Sequence, residues 1–263
     1  MGSGHSLPVV ADSSPDSRPL SAGRVAVVIP AYNHEHFVAE AVASALGQGA
    51  CVAEVVVVDD GSRDRTAEVA GAISDPRVRV LRQANAGPSA ARNTGWRATT
   101  APWVFFLDAD DTIAAGAFDA LLGAEPGGLP GVNPVIPYGY EEVFAADFQR
   151  TRAFDAYLSR GSGDILEDVA VNYLATIFVA LIPRTCLEAI DGLDAGVRYG
   201  EDMDLAIRLA RRFRFRHLAV PTYRARMHGA NRHRTFPEEG YRQYVASVTR
   251  AFAGERSPRL WSI

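Results

Sequence analysis

Short apolar runs alternate with segments of helical spacing from Val25 onward. Val25 to Ile29 (VAVVI) is an unbroken apolar run closed by Pro30, the pattern of a strand covered on both faces. His34 to Gly47 carries Phe37, Ala41, Val42 and Ala45 on one helical stripe and predicts a helix. Glu54 to Val58 predicts the next strand, Asp64 to Ile73 a helix, Arg77 to Leu81 a strand, Pro88 to Ala98 a helix, and Trp103 to Leu107 a fourth strand. Strands alternating with helices predict βαβ units, hence an α/β fold with a mainly parallel sheet flanked by helices. Beyond Thr112 the pattern loosens. Ala117 to Leu122 predicts a short helix, Glu125 to Pro137 is a Pro/Gly-rich boundary, Pro134 to Phe144 holds one or two strands, and Ala175 to Ile182 another. Gly200-Glu201-Asp202-Met203-Asp204 then opens a helix with Leu205, Ala206 and Leu209 on its apolar side.

Parallel sheets bind ligands outside the carboxyl ends of their strands, where the loops here carry Asn33, Asp59, Asp60, Asn85 and Asp108. The fourth strand stops in Asp108, Asp110 and Asp111. Crowded carboxylates repel and lose hydration, so such a turn is either a solvated strand end or a cation site, and hard oxygen ligands suit Mg2+ or Mn2+. Acidic residues at the start of the Gly200 helix are favoured by the helix dipole at about 0.3–1 kcal/mol each. The same dipole keeps an aspartate ionised, as a general base requires. Between Arg208 and Arg234 lie nine arginines and three histidines, with Phe213, Phe215 and Tyr223 interleaved. This stretch reads as a solvated helix face with an edge strand, as a clamp for a substrate diphosphate, or as a nucleic-acid surface, and His228 as a metal or phosphate ligand or a structural residue.

Composition narrows these readings. With 263 residues and 48% apolar content the chain supports one large core. A net charge of −4 argues against nucleic acid as the partner. All 27 basic residues are arginine, which removes Walker-type phosphate loops, Schiff-base chemistry and other lysine-dependent families. Pro30-Ala31-Tyr32-Asn33 after the first strand is not the glycine-rich turn of a nicotinamide enzyme. Cys51 and Cys186 suggest free thiols in a reducing compartment. No run approaches the roughly 20 apolar residues of a membrane span, so the expectation is a soluble cytoplasmic protein, with peripheral attachment to the inner membrane face as a variant. Residues 1–22, rich in Ser, Pro and Asp, read as a disordered leader or expression remnant.

Five stretches in order resemble the family 2 inverting glycosyltransferases of the GT-A nucleotide-sugar fold: VAVVIPAYNHEHFVAEAVASAL (Val25 to Leu46), VVVVDDGSRDRT (Val55 to Thr66), NAGPSAARNTG (Asn85 to Gly95), WVFFLDADD (Trp103 to Asp111) and GEDMDLAIRLAR (Gly200 to Arg211). The resemblance implies a single GT-A type domain with a smaller mixed half on the acceptor side. A donor half would span 23–124, an acceptor and catalytic-base half 125–235, and a C-terminal helix and tail 236–263. It implies that Pro30, Ala31, Tyr32 and Asn33 line the base pocket, Asp60 hydrogen-bonds the base, Arg92 contacts the donor or positions its loop, and Asp108 approaches the ribose. Asp110, with His228 in the late segment, would bind Mg2+ or Mn2+; Asp111 is the other candidate ligand. Asp202 would be the general base, with Glu201 beside it. Asp191-Gly192-Leu193-Asp194 departs from the glycine-rich segment usual before the second acidic motif. The implied reaction is metal-dependent, inverting transfer from a nucleotide-diphosphate sugar, UDP or dTDP favoured, to a hydroxyl of a glycan, lipid-linked sugar or small natural product. The rival readings are a non-catalytic sugar-nucleotide or glycan-binding module and a sugar nucleotidyltransferase.

Overall fold

The computed structural model describes residues 23–124, 130, 133–145, 150–153, 162–166, 169, 177–228, 238, 242, 245, 246, 249 and 250. The leader over 1–22, most of the Glu125 to Pro137 boundary and most of the C-terminal segment lie outside them. Among the described residues no helix is long and apolar enough to cross a membrane.

The first sheet is built from β1 (Val25–Ala31), β2 (Val52–Asp59), β3 (Val78–Arg82) and β4 (Trp103–Phe106), with the short β8 (Ile182–Pro183) at its edge. Its order is β3-β2-β1-β4-β8, parallel except for the β4–β8 pair. Every residue of β1 and β4 is buried, which is why both read as continuous apolar runs. Helices α1 (Val38–Leu46), α2 (Thr66–Gly71) and α3 (Pro88–Arg97) make the crossovers. Gly95 lets α3 approach β1 closely, since a Cβ there would stand 2.3 Å from Val28 Cγ1. β2 and β4 flank β1 on opposite sides, so the chain reverses its direction of progression there, and the loops after β1 and β4 open a crevice.

A second sheet, ordered β5-β9-β6-β7, joins β5 (Thr112–Ile113), β6 (Val135–Ala145), β7 (Arg150–Ala153) and β9 (Arg214–Met227). β6 and β9 run parallel, whereas β5 and β7 are antiparallel to their neighbours. The expected mixed character of this half is present. α4 (Ala117–Gly123), α5 (Arg184–Ala189) and α6 (Glu201–Ala210) complete the described elements.

Several sequence expectations shift. The first helix begins at Val38 rather than His34, because Asn33 takes a positive φ of 58° and side chains hold the next residues: His34 N donates to Thr66 Oγ1 and Glu35 N to Asp64 Oδ2. The strand expected over Ala175 to Ile182 is, where described, a 3-10 turn at Ile177–Val179 and an isolated bridge from Ala180 to Tyr138, with only Ile182–Pro183 as strand. The arginine-rich stretch contains a strand paired on both sides near Tyr223 and Arg224, not a plain edge strand.

Candidate active site

The carboxyl ends of β1, β2 and β4, the start of α6 and the end of β9 converge on one crevice. At its floor Arg92, 3% exposed, bridges two elements: Nη2 lies 2.5 Å from Asp108 Oδ1, at the end of β4, and Nη1 lies 3.2 Å from Glu201 Oε1, at the start of α6. Its guanidinium also sits over the Phe178 ring at 4.1 Å. The arginine ties Asp108, at the end of β4, to the helix that carries Asp202.

Asp202 is half-buried, and its Oδ1 accepts the Met203 N–H at 2.8 Å. Burial, then the neighbouring Glu201, pushes its carboxyl from 3.8 to about 7. The loop before α6 is locked to α3. Asn93 Nδ2 donates to Leu193 O at 2.7 Å while Leu193 N and Trp96 Nε1 both donate to Asn93 Oδ1. Gly192 has φ +69°, and a Cβ there would lie 2.5 Å from Asn93 Oδ1. The Asp191-Gly192-Leu193-Asp194 segment is thus a tight tether for the α6 entry.

The three aspartates after β4 have separate duties. Asp111 is buried, with Oδ2 accepting from the Tyr223 hydroxyl at 2.8 Å and Oδ1 from Arg226 N at 2.7 Å. Burial, with Asp110 and Asp108 beside it, holds its carboxyl well above the usual carboxylate range. Asp111 therefore braces the turn against β9. Asp110 meets the residue just past β9, its Oδ2 3.0 Å from His228 Nε2. The two are hydrogen-bonded to each other, and a carboxylate oxygen with an imidazole nitrogen is a donor set that Mg2+ or Mn2+ accepts. Among the described residues no three His, Cys, Asp or Glu side chains gather as a closed metal cage. An open two-ligand arrangement, completed by diphosphate and water, is the form these ions commonly take.

On the nucleotide side Pro30 and Ala31 are buried, Tyr32 is exposed, and Asn33 braces the neighbouring loop by accepting from Arg63 N at 2.9 Å. Asp60 accepts from Gln83 Nε2 at 2.7 Å, Ala86 N at 2.9 Å and Gly87 N at 2.8 Å. It thereby shapes the loop entering α3, with three of its roughly four acceptor positions used inside the protein.

Of the arginines from Arg224 to Arg234 read as a diphosphate clamp, the two described ones have partners within the protein. Arg224 lies over Phe144 and pairs with Glu142, while Arg226 pairs with Glu40; Arg232 and Arg234 fall outside the described residues. One site residue escaped sequence reasoning. Glu141 on β6 pairs in register with Tyr223, and burial, then Asp202 and Asp108, raises its carboxyl from 4.5 to about 7. The available signal was the acidic pair Glu141 and Glu142 within an otherwise aromatic and apolar strand.

Residues 26–144 match the family model described as glycosyl transferase family 2. The curated relatives include an uncharacterized glycosyltransferase, EpsJ, of Bacillus subtilis, 40% identical over 99 residues, which are 37% of this chain and 29% of that protein. The succinoglycan biosynthesis protein ExoO of Rhizobium meliloti is 46% identical over 90 residues, 34% of this chain and 26% of the relative. The chain therefore spans less than a third of these relatives. Among solved structures, S. aureus TarS 1-349 in complex with UDP-GlcNAc superposes with a TM-score of 0.69 at 17% identity, covering 90% of this chain and 68% of that one. The likeness to TarS shows the shared fold, a mainly parallel sheet with its flanking helices.

Proposed function

We propose that the chain, whose residues 26–144 match the model of glycosyl transferase family 2, moves a sugar, with inversion, from a nucleotide-diphosphate donor to an acceptor hydroxyl, with Asp202 as general base. The observation that carries this reading is the Arg92 bridge, which fixes the donor-side Asp108 and the α6 start in one frame. The UDP-GlcNAc complex of the structural neighbour supports a uridine donor.

The acceptor hydroxyl gives its proton to Asp202 Oδ2, because Oδ1 is engaged by Met203 N. As the proton leaves, the acceptor oxygen bonds to the anomeric carbon and the carbon–oxygen bond to the diphosphate breaks on the opposite face. A carboxyl raised to about 7 suits this transfer at neutral pH, since its basicity is matched to the medium. Asp110 and His228 would hold the divalent ion, which when bound supplies charge neutralisation for the departing diphosphate. Pro30 to Asn33 and Asp60 frame the base, and the second sheet faces the acceptor. The acceptor is a hydroxyl of a glycan, a lipid-linked sugar or a small molecule.

Turnover is tested with UDP-, dTDP- and GDP-sugar panels against Mn2+ and EDTA, reading nucleotide release and product anomer. Release of one diphosphate with an inverted product, abolished in Asp202→Asn, is the expected result. Donor binding without turnover, unchanged in that variant, would overturn the catalytic reading.

A further inference from the structure

Phe37 stands between the donor-side loop and the end of β9, outside every role assigned above. The His228 ring stacks on it with centroids 4.8 Å apart and planes at 23°, and the Arg226 guanidinium lies 5.0 Å from the same ring. Arg226 and His228 are two apart at the end of an extended segment, so both side chains project to one side, and that side rests on Phe37. The base under the platform is rigid. Phe37 N donates to His34 O, His34 N and Glu35 N are held by Thr66 and Asp64, and Arg226 is anchored to Glu40 by its guanidinium and to Asp111 by its backbone.

We infer that Phe37 is a positioning residue for His228, holding the imidazole edge-on to Asp110 so that the two side chains meet a divalent cation already oriented. The inference rests on the reading of Asp110 and His228 as a cation pair. The sequence of contacts is short: Phe37 fixes the ring plane, the ring plane fixes where Nε2 points, and Nε2 stands 3.0 Å from Asp110 Oδ2. A leucine at position 37 keeps apolar bulk but offers no flat face, so the imidazole gains rotational freedom that cation binding must then remove. Partners that orient a ligating histidine commonly contribute 10–100-fold, on the order of their measured effects on metal affinity.

The test titrates Mn2+ into the protein in saturating UDP, following the electron paramagnetic resonance signal of free Mn2+, for wild type, Phe37→Leu and Phe37→Tyr. Thermal unfolding is recorded in parallel without metal. Phe37→Leu is expected to weaken Mn2+ binding by about 10-fold or more, Phe37→Tyr to bind as wild type, and the His228 ring proton resonances to lose their ring-current shift in Phe37→Leu alone. Equal Mn2+ affinity in wild type and Phe37→Leu would overturn the positioning role while leaving the cation pair intact. No Mn2+ uptake by wild type would overturn the cation pair, and the inference with it.

Discussion

Replacing Arg92 with methionine removes the one cation that Asp108 and Glu201 share while keeping much of the side-chain volume. Arg92 is 3% exposed and Glu201 15%, so that carboxylate would be left poorly solvated, whereas Asp108, at 36%, retains contact with water. Breaking a buried pair by deleting one partner costs about 3–5 kcal/mol, and the exposure of Asp108 places the expected loss at about 3 kcal/mol. For a domain of this size about 2–4 °C of midpoint is lost per kcal/mol, giving a fall of about 6–12 °C by circular dichroism at neutral pH. Arg92→Lys should fall by an intermediate amount, because one ammonium cannot reproduce two guanidinium nitrogens aimed at separate partners. UDP-sugar turnover should drop in both, since the α6 start loses its tether to the end of β4. A methionine variant that melts within about 2 °C of wild type would refute the bridge as an energetic element.

Asp202→Asn should lower kcat by about 10²- to 10⁴-fold with donor affinity unchanged in calorimetry. The wild-type kcat/KM should fall as pH drops below about 7, because the base is then protonated, and Glu141→Gln, which removes a like charge, should move that limb to lower pH. The native Asp202 carboxyl holds its proton to higher pH than the unfolded one, so it stabilises the fold below 3.8 and that contribution is lost as pH rises through about 7. Asp202→Asn should therefore flatten the decline of unfolding free energy across that window in urea titrations. Gly192→Ala, which forces a side chain into the left-handed region against Asn93, should cost about 2–4 kcal/mol in the same assay.

The two central strands of the first sheet were legible because they are buried on both faces, which leaves little room for polar residues and makes Val25 to Ile29 and Trp103 to Leu107 stand out. The start of α1 was not, since the bonds that hold Asn33 to Phe37 out of a helix come from Thr66 and Asp64, 32 and 29 residues away. Ala175 to Ile182 misled for another reason: a short apolar run carries no period that separates a strand from a buried turn. Asp110 and His228 stand 118 residues apart, and the family resemblance brought them together where spacing could not. Glu141 and Phe37 gain their significance from strand register and ring stacking, which the local sequence does not encode.

The parallel pairing of β6 and β9 has an evolutionary consequence. Parallel neighbours cannot be joined by a hairpin, so the chain after β6 first adds β7 on one side of it and then passes through β8 of the first sheet and α6 before β9 enters on the other side of β6. Its return is pinned by the α6 helix and the Arg92 tether. A lineage that lengthened or shortened that connection would have to keep both anchors, β8 at the edge of the first sheet and the register of β9, or displace His228 from Asp110.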